Sequence, residues 1–501
     1  MRILAVDIGT STVKSGLIDF EGDGVKGFNT IEVPLLRPEP EAAEHSADYL
    51  WGIFKETVKE TIRKANMEEI DGIVVSGYLF GLIGLDSQNR PLTNIFTWLD
   101  RRPAKYLPRL YKTLDPFEVY RRTGCPPLYI YQLAKLFWLL QEKKTLLEKT
   151  KTILDAKGFL FLRLIGEKVM DRSSASGSQL LNMYSLDWDF DLIESIGIDP
   201  GILPRLVEPN TIIGDLPVSI ANELGIKSGA PIVAGVFDGA AVSIGLGGLN
   251  QEIATSHLST STMLRVASPY PVIDKSPYMR FQTYYSLKKT WLPGGAVNSG
   301  GVVLRWFRDS LGGLEKVLAQ DLGISVYEIL DREAMLSPPG ANGIIFLPYL
   351  SGERFPIFGN NSSAVIFGLR EWHTKRDILR AFMEGVAYNL NLVNEALREN
   401  NLRFKEVRIT GGGAQSQLWL QILADVLNTP IKAFTRGDAA LFGSALVALE
   451  TLDPSFELTK FDQYLRFDRI ALPSENRLVY EKQYEKFKKV LNSLIPLFNE
   501  N

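Results

Sequence analysis

The chain has 501 residues, 45% hydrophobic and 23% charged, enough for two or three domains with substantial cores. Its 55 Lys and Arg against 58 Asp and Glu leave a formal charge of −3, which gives no support to nucleic-acid binding by bulk charge and shows no charged tail. The lone Cys125 excludes an intramolecular disulfide, and His45, His257 and His373 are too far apart for a His-x-x-x-His zinc motif.

Any catalytic base is therefore expected to be a carboxylate, and the histidines are read as surface or satisfied structural residues. The N-terminus lacks an apolar run followed by a cleavage site, and no stretch approaches about 18 apolar residues. A cytoplasmic enzyme or binding protein, without a membrane span, is the expectation.

In chain order, residues 2–7 (RILAVD) predict a buried strand, followed by a turn from Gly9 to Thr12 and a second strand, VKSGLIDF. A third strand is expected near TIEVPL. Apolar residues at three- and four-residue spacing predict a helix from Ala47 to Ala65, and IDGIVVSGY predicts another buried strand. Mixed strands and helices point to an α/β domain, whereas residues from about 105 to 200 read as mainly helical. Strand patterns return at Pro231–Gly235 and across Ile253–Val266.

The sequence then echoes itself. Thr10-Ser11-Thr12 and Thr260-Ser261-Thr262 each sit between two apolar strands, 250 residues apart, which suits either two lobes on one plan or two unrelated hairpins. The last third offers NGIIFLPYL as a strand, RDILRAFMEGVAYNLNLVNEALREN as a long amphipathic helix, and EVRITGGGAQ as a strand entering a glycine turn. QSQLWLQILADVL reads as the helix after that turn, and a further helix begins near residue 475. No low-complexity linker separates the halves, so a tight interface is expected.

Three segments could carry chemistry. In Asp7-Ile8-Gly9-Thr10-Ser11-Thr12, backbone N–H groups and hydroxyls could converge on an anion, with Lys14 adding charge and Asp7 holding a hydrated Mg²⁺. A plain polar hairpin explains the same residues. Thr410-Gly411-Gly412-Gly413-Ala414 could bring backbone close to a nucleotide at a helix start, or could simply pack a turn. A P-loop is excluded because Gly-Lys occurs nowhere in the chain, and no Gly-x-Gly-x-x-Gly follows the first strand. In PIVAGVFDGAAVSIGLG, Asp238 follows an apolar strand and precedes a small-residue helix. It suits an N-cap, or a general base that deprotonates a hydroxyl aimed at phosphorus.

Together these segments resemble the FGGY carbohydrate kinases, within the sugar kinase, Hsp70 and actin superfamily. DIGTSTVK is similar to the family's first phosphate motif, GVFDGAA to its catalytic-Asp segment and ITGGGAQSQLWLQILADVL to its adenosine-side motif. FLPYLSGERFP resembles xylulokinases and gluconokinases, and VNSGGVVLRWFRD resembles gluconokinases. The motifs run in family order from residue 3 to about 445.

The resemblance implies an α/β fold of two actin-like (ribonuclease H-like) lobes, residues 1–245 and 246–501, with ATP and substrate in the cleft between them. It implies Asp238 as general base and Mg²⁺ near Asp7 and Asp238. ATP and its phosphates would meet Asp7, Gly9, Thr10, Ser11, Lys14, Thr260, Gly301, Gly412, Gly413 and Ser416. Leu79, Phe80, Trp98, Asp100 and Asp238 would face a small open-chain sugar or sugar acid, such as a ketopentose or gluconate. A homodimer is compatible with this reading; nucleic acid and membrane are not expected partners. A glycerol- or erythritol-type kinase, a non-catalytic nucleotide-binding relative and a phosphatase or ATPase of the same fold remain the alternatives.

The chain also departs from the family. Leu79-Phe80 stands where xylulokinases and gluconokinases carry Met-His, and Ser259-Thr260-Ser261 replaces Gly-Thr-Ser. Gly239 follows the base, as in gluconokinases.

Overall fold

In a computed structural model, residues 1–22, 24–355, 362–435 and 437–498 are described, without the side chains of 462–464. They form two α/β domains. The first sheet contains β1 (Arg2–Ile8), β2 (Thr12–Asp19), β3 (Gly24–Glu32), β4 (Gly72–Gly77), β5 (Ile212–Asp215) and β6 (Pro231–Val233), in the order β5-β6-β4-β1-β2-β3. β1 runs antiparallel to β2 and parallel to β4.

The second sheet contains β7 (Ile253–His257), β8 (Thr262–Val266), β9 (Gln282–Tyr285), β10 (Trp291–Val297), β11 (Glu406–Thr410), β12 (Ile431–Ala433) and β13 (Arg469–Ala471). Its order is β9-β10-β8-β7-β11-β12-β13. β7 runs antiparallel to β8 and parallel to β11, which repeats the relations of β1. The two Thr-Ser-Thr turns thus occupy equivalent places on one plan.

β1 reads as an unbroken apolar run because both of its faces are covered. Leu4, Val6 and Ile8 join a core with Leu50, Phe54 and Val58 of helix α1 (Ala47–Ala65). The four-residue spacing of these helical side chains stacks them on one face, and burying each contributes roughly 1.5–3 kcal/mol. Ile3 and Ala5 point the other way, into a core shared with helix α3 (Asp238–Gly245) and helix α7 (Ala439–Leu452). α2 (Gln132–Glu142) precedes α3 in the chain, and α4 (Gly301–Ser310), α5 (Lys375–Glu399) and α6 (Gln417–Leu427) lie between α3 and α7.

α3 and α7 cross where both lack side chains. A Cβ on Gly443 would fall 1.9 Å from the Ala241 carbonyl oxygen, and one on Gly245 would fall 2.0 Å from that of Ala439. The close interface expected between the halves is built from this crossing. Among the described residues no helix is long and apolar enough to cross a membrane.

Three expected elements differ. The third strand spans Gly24–Glu32 rather than starting near Thr30: as the edge of its sheet it leaves Val25 and Phe28 exposed, so it lacks the apolar run of a central strand. NGIIFLPYL yields only Ile345–Leu347, paired with Val365–Phe367 outside the main sheets. The glycine run does not open α6 directly, because a 3₁₀ turn at Gly412–Gln415 intervenes and Ser416 caps the helix.

Candidate active site

A cavity of about 510 Å³ lies between the two domains. The first domain contributes Asp7, Lys14, Leu79, Phe80, Trp98 and Asp238. From the second come His257, Met263, Arg265, Arg354, Gly412 and Asp438.

One end is ionic. Asp7, at the end of β1, accepts a hydrogen bond from Ser76 Oγ at 2.7 Å. Burial, reinforced by the nearby carboxylates of Asp438 and Asp238, raises its pKa to about 7. Lys14 lies opposite Asp7 in the hairpin register, and its Nζ donates to Asp438 Oδ2 at 2.8 Å. Burial opposes the Lys14 charge, but Asp438, with Asp7 and Asp238, holds its pKa above the usual value. Asp438 is the N-cap of α7, accepting from the Ala440 and Leu441 amides, so a helix end reached 424 residues later fixes the Lys14 ammonium.

Asp238 feels the charges of both Lys14 and Arg265 without pairing with either. Burial raises its pKa, while the Arg265 guanidinium, the Gly239 amide, Lys157 and Lys14 oppose the rise. It is not the N-cap: Phe237 holds that position, and Asp238 is the first helical residue, accepting from the Gly239 N–H at 2.6 Å. That one-residue shift frees the carboxylate to face the cavity. The preceding backbone is held by Lys157, whose buried ammonium pairs with Asp171 at 2.6 Å and donates to the Val236 carbonyl at 3.2 Å.

The other end is aromatic. Phe80 has a φ of 73°, strained for a side-chain-bearing residue. Its carbonyl accepts from the buried Lys135 Nζ at 2.8 Å, and its ring meets Tyr131 and Tyr284 edge-on. Burial lowers the Lys135 pKa to about 7, with Asp100 opposing. Trp98 joins the two ends: its Nε1 donates to Thr10 Oγ1 at 2.8 Å, and the Arg354 guanidinium lies 5.2 Å from its ring centre.

Other candidate residues lie outside the cavity lining. The Gly9 amide donates to the Thr12 carbonyl at 2.8 Å, Thr10 is tied to Trp98, and Ser11 and Thr260 are exposed. The Gly301 amide is taken by the Ser259 carbonyl at 2.5 Å. The Gly413 amide donates to the Leu258 carbonyl at 2.9 Å, and Ser416 accepts from Trp419 N at 3.0 Å. Gly411 has a φ of 102° and backs onto the Leu258 carbonyl, and of the three glycines Gly411 and Gly412 line the cavity while Gly413 does not. Asp100 is fully buried and clasped by Arg102, whose Nε lies 3.0 Å from Oδ1. Pro356 of FLPYLSGERFP lies outside the described residues.

Sequence reasoning missed Asp438, His257, Arg265, Gln282 and Tyr284, all of which line the cavity. The available signal was Arg265 itself, a cation in the apolar strand TMLRV. His257 was read as structural, yet it faces the cleft, and burial lowers its pKa to about 4, which keeps it neutral. His45 does fit a satisfied structural role: it is buried, with ring nitrogens 3.0 Å from the Tyr78 hydroxyl and 3.0 Å from the Thr10 carbonyl.

Known proteins agree with this architecture. The sequence model for the "FGGY family of carbohydrate kinases, N-terminal domain" matches residues 2–245, and that for the C-terminal domain matches 255–451. A gluconokinase of Bacillus subtilis (strain 168) is 32% identical over 449 residues, 89% of this chain and 87% of that protein. A xylulose kinase of Escherichia coli (strain K12) is 27% identical over 496 residues, 99% of each chain. The crystal structure of a gluconate kinase from Lactobacillus acidophilus superposes with a TM-score of 0.93 at 27% identity, covering 100% of this chain and 99% of that one. With both family domains matched across most of its length, this chain belongs to the FGGY family of carbohydrate kinases and is a sugar kinase.

Proposed function

We propose that the enzyme transfers the γ-phosphate of ATP to a hydroxyl of a small open-chain sugar or sugar acid, with Asp238 as general base. The observation that carries this reading is the position of Asp238, between the Asp7–Lys14–Asp438 group and the pocket lined by Phe80, Tyr284 and Arg265. The relatives named gluconokinase and xylulose kinase support the acceptor class. Residues 1–245 would supply the base and the first phosphate loop, and residues 246–501 the adenosine side.

Asp7 and Asp238 are the residues that would hold Mg²⁺. Buried carboxylates that repel one another favour a cation, and Mg²⁺ needs only one or two protein carboxylates beside phosphate oxygens and waters. Once bound, Mg²⁺ supplies charge neutralisation at the phosphate oxygens.

Asp238 accepts the acceptor's hydroxyl proton as that oxygen forms a bond to the γ-phosphorus. The bond from phosphorus to the β–γ bridging oxygen breaks, ADP leaves, and Asp238 later returns its proton to solvent. The raised pKa of Asp238 makes its carboxylate a stronger base than an exposed aspartate. Closure of the domains would exclude water, directing phosphate to the sugar.

The test is acceptor-dependent ADP release with Mg-ATP across D- and L-xylulose, D- and L-ribulose, D-gluconate, glycerol and erythritol. One acceptor that stands out, and loses turnover with Asp238→Asn, supports the reading. ATP binding with no acceptor-stimulated release would favour a non-catalytic binder, and acceptor-independent release would favour an ATPase.

A further inference from the structure

The cavity contains a cluster of buried polar atoms without hydrogen-bond partners: Arg265 Nε and Nη1, Gln282 Oε1 and Thr262 Oγ1. Arg265 is 6% exposed, and Thr262 and Gln282 are each 2% exposed. Leaving such atoms unpaired is unfavourable, most of all for a charged group, and their gathering in one cavity points to a ligand that completes them.

Arg265 is built into this place. It shares the cavity face of β8 with Met263, two residues before it, and two neighbours lack side chains where its own passes. A Cβ on Gly239 would fall 2.0 Å from Nη1, and one on Gly294 would fall 2.7 Å from Cγ. The Phe237 ring supports the guanidinium at 5.2 Å. Among the described residues Arg265 forms no ion pair within 4.0 Å, and Asp238 is the carboxylate whose charge acts on it from beyond that distance. Burial lowers its pKa, Asp238 opposes this, and Arg354, a second guanidinium lining the cavity, adds repulsion. Among the described residues this end of the site therefore holds two cations and no carboxylate within ion-pair distance of either; Arg354 instead donates to Asn298 Oδ1 at 2.6 Å.

We infer that Arg265 binds a carboxylate of the acceptor, with Gln282, in the same cross-strand row, completing the contacts, so that the substrate is a sugar acid rather than a neutral sugar. The planar guanidinium presents two N–H groups to two carboxylate oxygens, a match a neutral hydroxyl cannot make. Gln282 Oε1, an acceptor, is left for a substrate hydroxyl. The inference rests on the kinase reading above and narrows its acceptor class.

The experiment compares kcat/KM for D-gluconate, D-xylonate and D-erythronate with that for D-glucitol, xylitol and D-xylulose in wild type, Arg265→Met, Arg265→Lys and Gln282→Glu. Calorimetric titration of the three acids without nucleotide runs alongside. Wild type is expected to favour one acid over its polyol by at least about 10²-fold, and Arg265→Met to lower that ratio by about 10²-fold. Arg265→Lys should recover part of the ratio. Gln282→Glu should abolish acid binding by placing an internal carboxylate on the guanidinium.

Acid binding that persists in Arg265→Met, or a wild type that prefers neutral acceptors, overturns the inference even with ADP release intact. Equal loss of kcat for acids and polyols also overturns it, and makes Arg265 a group acting on the transferring phosphoryl instead. Acids that bind wild type but not Arg265→Met, without ADP release for any acceptor, uphold the carboxylate site and defeat the kinase reading.

Discussion

The two Thr-Ser-Thr hairpins share a backbone plan and present different chemistry. In the first, Asp7 and Lys14 face each other across the register, and Ser15 turns inward to donate to the Thr57 carbonyl of α1 at 3.1 Å. In the second, His257 stands 250 residues after Asp7, and Arg265 stands 250 after Ser15. Where one half places a buried carboxylate, the other places a neutral imidazole; where one has a small structural hydroxyl, the other sends a guanidinium across to Gly239 of α3. A duplicated framework thus gives a cleft with an acidic wall, Asp7 and Asp238, facing a wall of Arg265, His257 and the open backbone of Gly412. Repetition fixes where the walls stand, while the substitutions within it decide what each wall can do.

The sharpest way to break this polarity is Asp238→Asn, which keeps the shape and removes the base. Turnover is expected to fall by about 10²–10⁴-fold with ATP binding retained, as measured by steady-state ADP release and nucleotide titration. Unchanged turnover would leave the acidic wall without its catalytic role.

Asp7→Asn probes the same wall through pH. The folded state holds the Asp7 proton up to about pH 7, against a usual value of 3.8, so it binds the extra proton between those limits. Stability contributed by that proton is full below about pH 4 and is lost as pH rises through 7. Asp7→Asn should raise the melting temperature of the ligand-free enzyme at pH 8 by several degrees, leave it nearly unchanged at pH 4, and lower activity at both. Parallel melting curves at the two pH values would show that Asp7 does not carry this strain.

How much of this was legible depends on how local each feature is. β1 and α1 stood out because an unbroken apolar run and a four-residue repeat depend on burial alone. Asp238 was found, but its helix phase was off by one, since a short helix of small residues gives no periodicity to set its start. Asp100 looked like a cleft residue until Arg102, two residues on, was seen to close over it. Asp438 could not be read: its partner Lys14 is 424 residues away, and only the packing of α7 beneath β1 brings them together. Arg265 was visible as a misfit in an apolar strand, and its meaning came only with Gly239 and the cavity.

Gly443→Ala tests the joint between the walls. The added methyl would meet the Ala241 carbonyl at 1.9 Å, with backbone on both sides and no flexible side chain to move. A loss of about 1–3 kcal/mol is expected, read as a lower urea midpoint, because α3 and α7 must separate to admit it. An unchanged midpoint would mean that the crossing is looser than its glycines require.

The smallest expected effect concerns the aromatic end. Phe80→His puts a polar ring where the carbon edges of Phe80 now meet Tyr131 and Tyr284, on a backbone held at φ 73° by Lys135. Histidine tolerates that left-handed conformation better than phenylalanine, so the fold should survive. One added hydrogen bond to an acceptor hydroxyl is worth about 0.5–1.5 kcal/mol, or roughly 2- to 12-fold in kcat/KM. The ranking of acceptors should therefore shift by that factor toward those whose hydroxyl reaches the ring, with kcat for the preferred acceptor less affected than KM. Because Arg265, not Phe80, holds the carboxylate, the preference for acids over polyols should remain. A change in that preference, with no change in ranking among acids, would mean that Phe80 acts by positioning Arg265 and not by touching the chain of hydroxyls.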